Sequence, residues 1–187
     1  MPRALSLAVV FCAVELLSPL TSTAQPSSSL PTLYQNGIGS VHFGVSKADA
    51  VAALRTALGE PNAEGVNTGC GAKFTEVAWH DLIAEFHAGE FTGYRLMEGG
   101  WPLTTYGGLN DRVTTKAPTP LLKTAAGITV GSTLGELRSA YRDLRLSGAV
   151  QWTAPNGLTF VEPSAVVNPR TASDRTAEIK VGTCGAF

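Results

Sequence analysis

His80 and Asp81, with Glu85 and His87 close behind, form the one local cluster whose residue types could ligate a metal or move a proton. If the chain runs as a strand there, Glu85 and His87 share a face, while His80 and Asp81 occupy the preceding turn. A metal centre needs three or four converging ligands and supporting hydrogen bonds behind them. Turn residues and solvent-facing strand positions account for the same side chains without any chemistry. The chain has no GxSxG, HExxH, GxGxxG, P-loop or CxxC pattern. No catalytic, metal or cofactor residue is therefore assigned. The alternative kept open is a small secreted hydrolase with a site near His80, Asp81 and His87.

Three other groups draw attention. Cys70 and Cys184 remain once Cys12 leaves with a signal segment, and two cysteines in an exported chain read as one disulfide. Closing a loop of over a hundred residues, from 70 to 184, is worth about 4–5 kcal/mol on a chain-entropy account. Trp101 and Tyr106 stand in the segment 98–120, which is rich in Gly, Thr and Pro. A structureless stretch of that length is either functional or a linker, and Trp and Tyr dominate interface hot spots. Both are candidate binding residues. Arg138, Arg142 and Arg145 line up on the outer face of a helix expected to follow Thr133. They read as a solvated face or as a docking stripe for an acidic partner.

The elements that must position these residues begin at a targeting signal. Arg3 precedes a mostly apolar stretch, Ala4 to Leu17, and then Ser22-Thr23-Ala24 gives a small-x-small cleavage pattern. The expected organisation is a signal peptide at 1–24, a flexible leader at 25–36, a first unit at 37–97, a linker at 98–126 and a second unit at 127–187. The 187 residues are 44% apolar and carry 14 basic and 15 acidic side chains, for a net charge of −1. That balance offers no footprint for nucleic acid, and no later segment has the apolar length of a membrane span. The partner expected is an extracytoplasmic protein or an envelope component, met by a secreted chain.

The two units share a start. Gly44, Ser46 and Asp49 match Gly131, Thr133 and Glu136 at one offset of 87 residues. Ser46 and Thr133 are N-cap types, and Glu136 completes a capping box. Val51, Leu54 and Leu58 then recur at helical spacing, as do Leu134, Leu137, Tyr141 and Leu144, so helices of about three turns are expected. Gly59-Glu60-Pro61 ends the first. Strands are expected at 74–79, 82–87 and 91–97 after the first helix, and at 150–153, 158–161 and 177–182 after the second. His80-Asp81, Gly89-Glu90 and Asn156-Gly157 would supply the turns. The fold class expected is α+β, with two tandem repeats of a helix plus a three-stranded antiparallel sheet sharing one core.

A Phe-Gly-x-Ser cap leading into a helix and an antiparallel sheet, repeated, resembles the beta-lactamase inhibitory protein and the SmpA/OmlA-type outer-membrane-assembly domain. The Gly-Ile-Gly-x-x-x-Phe-Gly and Gly-Ser-Thr-x-x-Glu-Leu segments are similar to secreted, uncharacterised proteins of high-GC Gram-positive bacteria. Val45 departs from the Met usual in that family, and Val130 stands where the first copy has Phe43. The resemblance lies in the helix starts, so it implies a fold and a binding style but no contact residues. The function expected is a non-enzymatic binding module, protein–protein or envelope-directed.

Overall fold

A computed structural model of the chain describes residues 29–68, 71–97, 122–147, 150–162 and 171–182. The first elements are three two-residue strands, β1 (Leu33–Tyr34), β2 (Gly37–Ile38) and β3 (Val41–His42), which pair as a small antiparallel meander. Gly37 is required at its position. A Cβ there would lie 2.0 Å from the Val41 carbonyl oxygen, and its φ of +154° is one side chains rarely adopt. Helix α1 (Lys47–Leu58) follows, then β4 (Ala63–Asn67), β5 (Phe74–Trp79), β6 (Leu82–His87) and β7 (Glu90–Met97). Beyond these come α2 (Leu134–Ala140), β8 (Arg145–Ser147), β9 (Gln151–Thr153), β10 (Thr159–Val161) and β11 (Glu178–Val181).

All eight later strands join one antiparallel sheet in the order β4-β5-β6-β7-β11-β10-β9-β8. This corrects the expected fold class. Among the described residues there are two helices, one of them short, and sheets of three and eight strands, so the chain is mostly β rather than two helix-plus-three-strand repeats. The strands the sequence suggested are present. Of this sheet it missed β4 and β8, the two edges, and it did not expect the short strands β1, β2 and β3 either. Edge strands expose much of their surface; β4, AEGVN, shows no apolar alternation, and β8, RLS, is too short at three residues to show a period. β1 lies inside the segment read as a leader, yet Leu33 is fully buried and its N–H donates to the Lys123 carbonyl at 2.8 Å.

Cross-strand register sorts the sheet into two faces. Trp79, Leu82, Leu96, Ile179, Phe160, Trp152 and Leu146 stand directly opposite one another in turn and form one row across the whole sheet. Leu54 of α1, Leu134 and Leu137 of α2, and Ile38 and Leu122 belong to the same apolar core as the row from Trp79 to Trp152. Truncating Leu54, which is 1% exposed, to Ala would cost about 2–5 kcal/mol. Trp79 Nε1 donates to the Gly59 carbonyl at 2.9 Å and fixes the end of α1 to the sheet. Tyr94 donates its hydroxyl to the Tyr34 carbonyl at 2.9 Å, and burial raises its pKa far above the ordinary phenol value.

Both helices start as their cap residues require. Ser46 Oγ accepts from the Asp49 N–H at 3.2 Å. Thr133 and Glu136 form a complete capping box. Each start is also pinned to a central strand or its approach. Gly44 N–H donates to Phe91 and Gly131 N–H to Thr176, at 2.8 and 2.7 Å. α1 ends at Gly59, whose φ of +88° suits glycine. α2 falls short of the three turns expected, since Tyr141 leaves the helix with an extended backbone and its ring packs 5.3 Å from Phe160.

Candidate functional site

The cluster at His80 does not converge. Trp79 pairs with Leu82, so His80 and Asp81 are the two loop residues of the β5–β6 hairpin, with His80 at a φ of +54°. Phe74 pairs with His87, which places His87 at the opposite end of the same hairpin. Five residue steps at ~3.4 Å each separate the two ends by about 17 Å. His87 is exposed and lies 5.0 Å from the Phe74 ring. Among the described residues no three His, Cys, Asp or Glu side chains gather as metal ligands. Trp101, Tyr106, Cys70 and Cys184 lie outside the described residues.

Glu85 does share the face opposite the helices, but with partners the sequence reading had not singled out. It stands directly opposite Glu76, and Arg95 enters between the two carboxylates. Arg95 Nη2 lies 2.6 Å from Glu76 Oε1, and Nε lies 2.7 Å from Glu85 Oε1. Asn67 donates to the same Glu76 oxygen at 2.8 Å. Glu76 and Glu85 are 1% and 0% exposed, so neither carboxylate is open to a ligand. The group is a buried charge network, in which the attraction of Arg95 for both carboxylates works against the cost of desolvating them. Glu76, Glu85 and Arg95 each interrupt a run of mainly apolar residues in β5, β6 and β7, and that was the signal that could have found the network.

A cleft opens at the other edge. It has a volume of about 760 Å³ and is lined by Arg142, Asp143, Arg145, Thr153, Pro155 and Gly157. Because α2 stops at Ala140, Arg142 falls in a turn and Arg145 on β8, rather than on a helix face. The cleft's far wall is the β9–β10 hairpin, where Gly157 adopts a φ of +87° and donates to the Ala154 carbonyl at 2.9 Å. Arg138 stays on the helix, its guanidinium 5.2 Å from the centre of the Trp152 ring. Trp152 in turn donates its Nε1 to Glu162 Oε1 at 2.8 Å. Arg142 and Arg145 are exposed, and no carboxylate pairs with either among the described residues. The stripe of three arginines is thus split into one that packs and two that face a hollow. With no ion-pair partner among the described residues, the two guanidiniums present ten N–H donors against the one carboxylate of Asp143 on this concave surface, and suit carboxylate or other anionic groups.

Comparison with family models, with curated proteins and with solved structures finds no match to this chain. No helix of the described residues is long and apolar enough to cross a membrane.

Proposed function

We propose that the chain is an exported, non-enzymatic binding module that grips an anionic extracytoplasmic partner through the cleft at β8. The signal layout at residues 1–24 supports export. The observation that carries the binding reading is the placement of Arg142 and Arg145 together on a 760 Å³ cleft with no ion-pair partner among the described residues. Trp101 and Tyr106 are proposed as additional anchors. The hydrolase alternative needs His80, Asp81 and His87 at one site, and the hairpin holds them at its two ends.

The test uses the mature chain, beginning at Gln25, as bait for the producer's own secretome and envelope fractions. The expected result is that Arg142→Glu with Arg145→Glu reduces capture at least tenfold while thermal unfolding is unchanged. Trp101→Ala is expected to weaken capture by ~2 kcal/mol. His80→Ala and His87→Ala are expected to leave it intact. Full capture by the double arginine variant would overturn the assignment of the cleft. A hydrolytic activity lost in either histidine variant would overturn the reading as a whole.

A further inference from the structure

We infer that β8 is a docking edge, and that its occupant is an extended acidic peptide segment, added to the sheet as a further strand. The inference rests on the cleft reading above and specifies the form of the partner. Three observations meet at β8. Among the described residues it pairs with β9 alone, so one side of its backbone is left without a strand. The apolar row that crosses the sheet from Trp79 ends there on Leu146, which is 47% exposed although every other member of the row is buried. Arg145, beside it in sequence, points to the other face, and Arg142 lies just before the strand on the wall of the same cleft.

An incoming strand would therefore meet alternating demands. Its residue opposite Leu146 extends the apolar row, and its neighbours face Arg145 on the other side. Alternating apolar and acidic side chains satisfy both, while backbone hydrogen bonds supply the rest of the affinity. A second copy of the chain fits less well, because edge-to-edge pairing would bring Arg142 and Arg145 of both copies onto one seam. The opposite edge is different in kind. There Lys47 of α1 reaches Glu64 on β4 and forms an ion pair with it.

The experiment titrates the isotope-labelled mature chain with three probes. They are a nine-residue peptide alternating Glu and Val, the same peptide N-methylated at alternate residues, and polyphosphate of equal charge. The Glu–Val peptide is expected to bind and to slow amide exchange at Arg145–Ser147 at least tenfold. N-methylation, and Arg142→Glu with Arg145→Glu, are each expected to weaken binding at least tenfold. Arg145→Lys, which keeps the charge, is expected to retain most of it. Equal binding by the N-methylated peptide or by polyphosphate would overturn strand addition while leaving the anion-binding cleft in place. Sedimentation showing a dimer that Leu146→Lys dissolves would assign the edge to a second copy and overturn the inference. Binding of none of the probes would overturn it too, and undiminished secretome capture by the double variant would remove the cleft reading with it.

Discussion

Arg95 shows how much one side chain can hold in place. It stands between two carboxylates that face each other across adjacent strands, and both are buried. Removing it leaves like charges opposed in a poorly hydrated site. Arg95→Ala is expected to destabilise the protein by about 3–5 kcal/mol, the usual loss when one partner of a buried pair is deleted. Replacing Arg95, Glu76 and Glu85 together with Met, Leu and Leu is expected to recover much of that loss. Chemical denaturation of the two variants checks both statements. A single-variant loss below 1 kcal/mol would mean that solvent reaches the network. The same residues mark a limit of reading the sequence. Sequence proximity groups Glu85 with the nearby histidines, whereas its partners are 9 and 10 residues away on the neighbouring strands. Register, not spacing, joins them.

At the level of elements, the helix starts and hairpins were legible, since each depends on a few adjacent residues. Ser46 and Thr133 cap, His80-Asp81 turns, and Gly157 turns after Asn156. The β6–β7 turn falls on Ala88-Gly89, both at positive φ, one residue before the Gly89-Glu90 turn expected. The edge strands and the length of α2 were not legible, because tertiary pairing decides them. Thr133→Ala is expected to cost ~1 kcal/mol. The Thr133 backbone N–H, and then its hydroxyl, hold the Glu136 carboxyl below its ordinary range. A lowered folded-state pKa stabilises above the unfolded value and is lost as pH falls through the folded one. The Tm advantage of wild type over Glu136→Gln is therefore expected to be full near neutrality and to vanish on acidification below the usual Glu range. An advantage independent of pH would show that the carboxylate charge plays no part. A second element-level test lies where β7 meets β11. A Cβ on Gly93 would stand 2.5 Å from the Gly182 carbonyl oxygen, so the backbones themselves would have to part. Gly93→Ala is expected to lower stability by about 1–3 kcal/mol, read from the denaturation midpoint.

For the whole molecule, the sheet brings remote parts of the chain to one end. Asn67 and Phe74 flank Cys70, and Gly182 lies two residues before Cys184. Those flanking residues emerge toward the same end of the sheet: Phe74 begins β5, Gly182 follows β11, and these two strands are three spacings apart, about 14–15 Å across the sheet. The residues between, reaching up to ~3.5 Å each, can span that gap. A Cys70–Cys184 bridge is accordingly expected in the exported protein. Non-reducing peptide mapping should recover the two joined peptides, and two free thiols would exclude it. The merging of both strand sets into one sheet was the feature least legible in the sequence. Nothing local to β7 or β11 says that they pair, and Met97 meets its partner Glu178 across a sequence offset of 81.

That pairing also sets an order of events for a chain that becomes free to fold from its N-terminus onward. β11 is the last strand in sequence and fills the middle of the sheet, between β7 and β10. Before it arrives, the chain can build only two separate ribbons, of four strands and of three, each with an open inner edge. Productive folding must wait for residue 181, and contacts of such sequence separation make it slow. A nascent or truncated chain stopping at Val161 would present both inner edges at once, a template for mispairing with its neighbours.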